Sequence, residues 1–382
     1  MKIFSIEPTP SPHSMKINLD ETLPMDTRLN FSIKDNLDDA PAYIQSLFQI
    51  DGVKNIYQVV DFIALEKNAK VPWETILPKV REQLGTVENI EVAEKNTENE
   101  TTGSSSEVQV FVQYFREIPM QLKLIVNEDE ERLALPERFN KAVMEASVDA
   151  PNFVMERKWI EMQRRYGMLA EVKTELLDEI DASYDEKRIQ ELVELAQNHS
   201  ASDKISNEKE KVDLADLEHR DWKVRYRVLD QMDPTMQDLP LLAKAIKDEK
   251  ASIRRLATAY LGMLESRDVL PYLYEALTDP AVTVRRTAGD CISDLGYMEA
   301  MPQMIASLKD SNRLVRWRAA MFLYEIGDES AVPALELASN DPEFEVKMQV
   351  KMALSRINDG EKAKGSVWHQ MTQATSKNQG GI

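Results

Sequence analysis

Residues 284–296 read VRRTAGDCISDLG, and residues 315–327, one step of 31 positions further on, read VRWRAAMFLYEIG. Each stretch sets apolar side chains at i, i+4, i+7, i+8 and i+11. The first gives Val284, Ala288, Cys291, Ile292 and Leu295; the second gives Val315, Ala319, Phe322, Leu323 and Ile326. That spacing is one buried face of an α-helix. The same step of 31 relates Pro240, Pro271, Pro302 and Pro333, and likewise Asp248, Asp279, Asp310 and Asp341. It also relates Ile253-Arg254, Val284-Arg285, Val315-Arg316 and Val346-Lys347. Three independent markers on one period, with two helical segments per unit, predict an α-solenoid of stacked repeats over 217–359.

Within this register, proline falls one or two positions into each first helix, where its missing N–H costs nothing, and Gly296 and Gly327 fall where second helices should stop. A shortened leading unit, Asp221-Trp222-Lys223-Val224-Arg225, lies 29 residues before Arg254 by its arginine and is expected to cap the stack. Cys291 aligns with Tyr260 and Phe322, so it is expected to be a packing side chain. Two readings of the basic residues follow. In one, Arg254, Arg285, Arg316 and Lys347 bond to Asp248, Asp279, Asp310 and Asp341 of their own or neighbouring repeats, as a structural ladder. In the other, Arg255, Arg286, Trp317 and Arg318 emerge on the concave face and bind an acidic peptide or a phosphate backbone. The array has 19 basic and 23 acidic residues, a balance that favours the ladder.

The whole chain has 382 residues, 47 Lys+Arg against 66 Asp+Glu, and a net charge of −19. That length predicts two or three domains, and that charge argues against broad electrostatic attachment to nucleic acid or anionic lipid. One cysteine is too few for an internal disulfide, a CxxC metal site or an iron-sulfur cluster held by the chain's own thiolates. The opening MKIFSIEPTPSP lacks a basic flank and an apolar run, and no later stretch approaches a membrane helix, so a cytoplasmic protein with no membrane partner is expected. Residues 88–107 hold six acids and one lysine beside a Gly-Ser run and read as a linker, as does the polar stretch 198–216. The expected order is therefore an α/β domain over 1–87, the acidic linker, a β-hairpin plus helical domain over 108–197, the second linker, the solenoid, and a flexible tail over 360–382. In that tail Val367, Trp368 and Met371 are spaced either to cap the last repeat or to serve as a docking peptide.

Residues 2–7 and 14–19 alternate as strands around a proline-rich turn, Ala40–Ile50 reads as a helix, and Val53–Val59 with Phe62–Lys67 reads as a hairpin. Trp73–Leu84 closes the domain as a helix, with Pro78 as a potential point of interruption. Its expected core is Leu47, Phe48, Ile50, Val53, Ile56, Phe62, Ile63, Trp73, Ile76 and Val80. In the middle region, Val108–Phe115 and Met120–Val126 read as strands, followed by helices at Pro136–Ser147, Asn152–Tyr166, Met168–Asp181 and Asp185–Ala196, with Arg164-Arg165 on a solvated helix face.

Glu7-Pro8-Thr9-Pro10-Ser11-Pro12 with Met15-Lys16, Leu47-Phe48-Gln49-Ile50-Asp51-Gly52-Val53, Asp61-Phe62-Ile63 and Trp73 resemble the N-terminal domain of Nfu/NifU-type iron-sulfur scaffold proteins. In that family a separate CxxC domain holds the cluster, so the resemblance implies the accessory domain without the cluster chemistry. The array resembles HEAT-like repeats. Arg116 to Gln121, Arg157-Lys158-Trp159, Arg285 to Tyr297, Val315 to Phe322 and Gly365 to Met371 extend the likeness along the chain to the conserved virulence factor C family. That family implies an effect on virulence-factor or haemolysin production and supplies no catalytic residues.

His13, His199, His219 and His369 are scattered without metal-ligand spacing, and GxxxxGK[ST], GxGxxG and GxSxG are all absent from the sequence. No enzyme, catalytic residue or cofactor is expected. The favoured function is a non-enzymatic adaptor that binds protein partners. The alternatives are a nucleic-acid-associated regulator using the Arg/Trp row, or an accessory factor in iron-sulfur assembly.

Overall fold

The computed structural model describes residues 2–9, 13–24, 28–59, 61–68, 71–86, 106–126, 129–148, 150, 152–197 and 212–360. Most of both linkers, the tip of the proline-rich turn and the tail with Val367, Trp368 and Met371 lie outside them. Among the described residues the fold is α+β in its first two regions and helical over 213–360.

The N-terminal region folds β1 (Ile3–Pro8), β2 (Ser14–Leu19), β3 (Arg28–Ser32), α1 (Ala42–Phe48), β4 (Val53–Val59), β5 (Phe62–Lys67) and α2 (Trp73–Leu84). The strands pair antiparallel in the order β1-β2-β5-β4-β3, with Ile17 opposite Ile63 and Ile56 opposite Leu65. Alternation turns Met15, Ile17, Ile56, Ile63 and Leu65 inward against Leu47, Trp73, Ile76 and Val80, all buried. Two details differ from the sequence expectation. Phe62 is only partly buried, on the opposite face from Ile63 and under the Lys16 ammonium at 4.9 Å, and α2 runs unbroken through Pro78, because its five buried apolar residues hold it to the sheet.

The middle region folds β6 (Ser106–Phe115), β7 (Ile118–Val126), β8 (Asp129–Ala134), α3 (Glu137–Ala146), β9 (Arg157–Gly167), α4 (Leu169–Ser183) and α5 (Glu186–Gln197). The four strands order as β8-β7-β6-β9, all antiparallel. Here the hairpin becomes a sheet, and the helix expected over Asn152–Tyr166 is a turn followed by strand β9. The turn closes at once, with Asn152 Oδ1 accepting from the Met155 N–H at 3.2 Å. Beyond it, β6 carries Val108, Val110 and Val112 as an inward apolar row and is paired on both sides. The second neighbour that a buried central strand needs is supplied from residues whose own pattern is ambiguous. The tight β6–β7 turn puts Arg116 and Glu117 at φ 46° and 69°, a left-handed pair without glycine. Arg116 reaches from this turn to Glu156 and to the Ala196 carbonyl.

The repeats begin with α6 (Trp222–Asp230) and continue as α7 (Leu239–Ala245), α8 (Ala251–Met263), α9 (Leu270–Ala276), α10 (Val282–Leu295), α11 (Met301–Ser307), α12 (Arg313–Ile326), α13 (Val332–Ala338) and α14 (Phe344–Asn358). Pro240, Pro271, Pro302 and Pro333 are each the second residue of a short first helix. Gly296 caps α10 in the left-handed conformation at φ 63°, a position other residues occupy only at a cost. The α8 and α10 helices pack so closely that a Cβ on Gly262 would lie 2.4 Å from Cys291 Sγ. Cys291 Sγ is thus a packing group, 3.5 Å from the Thr258 carbonyl, and burial pushes its thiol up.

The turns between helices carry the ladder. Arg254 donates Nε and Nη2 to the two oxygens of Asp279 at 2.6 and 2.9 Å, and Nη1 to the Asp248 and Glu249 carbonyls. Arg285 repeats this one unit on, reaching Asp310 at 2.8 and 3.0 Å and the Asp279 and Pro280 carbonyls. Arg225 of the leading unit does the same with Asp248 at 2.7 and 2.9 Å. Asp248, Asp279, Asp310 and Asp341 each accept from the backbone N–H two residues on, which shapes the turn into the next helix. Arg316 donates to the Asp310 and Ser311 carbonyls, whereas Lys347 has no ion pair among the described residues.

The described residues group into two compact units. In one, Phe344 and Met348 of α14 pack on the N-terminal core, and the buried Lys67 approaches Glu345 at 4.0 Å while lying over Trp73. In the other, the middle region packs with α6 to α12.

Asp279→Ala should lower unfolding stability by about 3 kcal/mol, because it strands the Arg254 guanidinium and removes the turn acceptor. Glu299→Ala, which breaks an exposed pair with Arg267, should cost under about 1 kcal/mol. Urea titrations of both variants measure the difference. Gly262→Ala should destabilise by about 1 to 3 kcal/mol through overpacking. Adding Cys291→Ala to it should recover part of that loss, a non-additivity readable from the same titrations.

Candidate interaction surface

The residue after each ladder arginine sits about a quarter-turn round its helix and points to a different neighbour. The second reading of the basic residues puts Arg255, Arg286, Trp317 and Arg318 on the concave face, where they would bind an acidic peptide or a phosphate backbone. The fold buries all four, at 8, 4, 2 and 8% exposure. For Arg255 and Arg286 the reason is the middle region, whose strand β9 and helix α4 lie against α6, α8 and α10. Glu179 of α4 is the centre of that contact. Its Oε2 accepts from Arg165 Nη2 of β9 at 2.7 Å and its Oε1 from Arg255 Nη2 of α8 at 2.9 Å, with the Tyr226 hydroxyl as a further donor. One carboxylate therefore joins a strand, its own helix and the repeats. Burial would push the Glu179 carboxyl up, but the Arg255 and Arg165 guanidiniums beside it hold it below the usual carboxylate range.

Around this centre Arg286 stacks on the Tyr166 ring at 3.8 Å, and Arg318 Nε approaches Asp290 Oδ1 at 2.7 Å while its guanidinium faces Trp317. Lys250 bonds Asp178 at 3.1 Å, Lys223 bonds Asp181 at 2.5 Å, and Arg227 bonds Asp185. Arg164 and Arg165, expected together on a solvated helix, separate because β9 is a strand. Arg164 stays on the surface with Glu107, and Arg165 goes inward to Glu179. The sequence held a signal for Glu179: it continues the buried row Val172, Leu176, Glu179, Ser183 of α4 at helical spacing. An acid in that row needs a buried cation as partner.

Among the described residues no group of three or more His, Cys, Asp or Glu is placed to hold a metal ion, and no helix is long and apolar enough to cross a membrane.

These features define a HEAT-type repeat protein with an Nfu-like domain. Family models agree, matching "Scaffold protein Nfu/NifU N terminal" over residues 4–89, "Virulence factor" over 113–193, and "HEAT repeats" over 213–289 and 271–355. The chain belongs to the conserved virulence factor C family. It is 40% identical over 274 residues to Conserved virulence factor C of Staphylococcus haemolyticus, covering 71% of both chains. It is 51% identical over 272 residues to the uncharacterized protein YpgR of Bacillus subtilis, again covering 71% of both. Among solved structures, protein SAV1430 of Staphylococcus aureus matches at 41% identity over 22% of this chain and 98% of its own, with a TM-score of 0.21.

Because the Glu179 carboxyl titrates lower when folded than when unfolded, its contribution is complete above the unfolded value of about 4.3 and is lost as pH falls through the folded one. Hydrogen exchange of α4 and β9 amides, once corrected for intrinsic rates, should therefore accelerate as pH falls below about 4. Glu179→Ala, which leaves Arg165 and Arg255 buried without their acceptor, should destabilise the protein at neutral pH by about 3 to 5 kcal/mol, measured by chemical denaturation.

Proposed function

We propose that this protein is a non-enzymatic adaptor that brings protein partners together through its repeat array and its Nfu-type N-terminal domain. The observation that carries this reading is the pairing of two modules that work by contact: a helical array fixed by the Arg–Asp ladder, and a domain of the scaffold-protein type. Membership of a family named for virulence fits an adaptor acting on the production of other proteins. With Arg255 and Arg286 engaged by the middle region, partners use surfaces that this region leaves open. Any link to iron-sulfur assembly runs through a partner's ligands, since the one cysteine is packed against Gly262.

Crosslinking in cells followed by mass spectrometry tests the proposal. Reproducible crosslinks to a small set of proteins, mapping to the N-terminal domain and the repeats, are expected. Crosslinks to nucleic acid alone, or no protein partner above background, would overturn it.

A further inference from the structure

Among the described residues strand β9 is the edge of its sheet, paired to β6 on one side, and it is 11 residues long. Every residue from Ile160 to Arg164 is exposed, including Ile160 and Met162 at 43 and 42%. A long edge strand that shows apolar side chains is a template for another strand, and proteins normally shorten, bulge, cover or charge such edges. The one bulge here lies between β6 residues Val108 and Val110, opposite the last part of β9, and leaves Arg157 to Met162 in regular register. Ile160 and Met162 stand opposite Val112 and Val110, on the same side as the helices, yet the helices stop short of covering them. Lys158 continues their row two residues before Ile160 and has no ion pair among the described residues. Arg164, further along the strand, is engaged by Glu107 and lies 4.0 Å from Glu161, so Lys158 is the basic group this edge offers a partner.

From this arrangement we infer that β9 is a docking edge that takes an extended acidic segment of a partner protein as a fifth strand. The sheet is antiparallel throughout, and an added strand of the same sense runs opposite to β9. Its side chains then meet Met162, Ile160 and Lys158 in that order. The segment that fits has two apolar residues at alternate positions followed, two residues later, by Asp or Glu. Main-chain hydrogen bonds along the edge supply affinity, and the two apolar contacts and the lysine pair supply selectivity. This inference rests on the adaptor reading and names one surface for it.

The test uses the full chain and a synthetic extended peptide with valines at two alternate positions and glutamate two residues after the second, with threonine elsewhere, followed by fluorescence anisotropy. Saturable binding is expected. Ile160→Lys with Met162→Lys should weaken it by about tenfold or more, as should N-methylation of alternate peptide amides. Lys158→Glu should weaken it and restore it for the peptide carrying lysine in place of glutamate. All three protein positions are exposed, so unchanged thermal midpoints will confirm folding. Absence of saturable binding, or binding indifferent to these changes, would overturn the inference. A chain that self-associates through β9 and loses this with the double lysine variant, while ignoring the peptide, would also overturn it in favour of pairing between copies. Protein crosslinks elsewhere on the chain with no peptide binding at β9 would defeat this site and leave the adaptor reading standing.

Discussion

The forked ion pair between a second-helix arginine and the aspartate of the next turn sets the geometry on which the other contacts depend. Arg225, Arg254 and Arg285 each hold their own turn through its carbonyls and the following turn through both carboxylate oxygens. The guanidinium is planar and its fork matches a carboxylate, so the contact fixes orientation as well as distance. With the units of these three arginines fixed to one another, the residue following each of them has a fixed direction. In α8 and α10 that direction leads to the middle region.

The consequence is a reassignment of charge. Residues that a repeat protein would otherwise present to partners are here engaged by the chain's own strand and helix, Arg255 with Glu179 and Arg286 with Tyr166. Burying a carboxylate between two guanidiniums is tolerable only when the charges are paired, and here Glu179 serves both arginines at once through one Nη of each, while their buried Nε atoms find no acceptor among the described residues. The same docking turns the far end of β9 inward and leaves its middle outside. The strand is thus anchored at Arg165 and Tyr166 and open at Ile160 and Met162, two properties of one element.

The N-terminal domain shows a quieter version of this economy. Its sheet is covered by α1 and α2 on one side, and Phe344 and Met348 of α14 add to that apolar layer. A residue from the last repeat, Glu345, stands beside Lys67, whose ammonium also donates to the Val71 carbonyl at 2.9 Å. Lysine at an inward strand position is tolerated because its ammonium lies over the Trp73 ring and finds oxygen at Val71.

What was legible in the sequence was whatever repeats or is local. The 31-residue period, the prolines at helix starts, the glycine after α10 and the alternation of β2, β4 and β5 are properties of short stretches, and they fixed the repeat boundaries and most helices. Strands β3 and β8 had no such signature, and β9 carried a pattern that a helix could also satisfy. What made β9 a strand was β6, a central strand needing hydrogen-bond partners on both edges from a segment more than 40 residues away. Likewise the sequence determined that arginine follows arginine in two repeats, but only the tertiary structure decided which is ladder, which is clasp and which surface remains open. Whether a charge faces solvent or another carboxylate depends on the segment that comes to lie against it, and that partner is chosen by the packing of the whole chain.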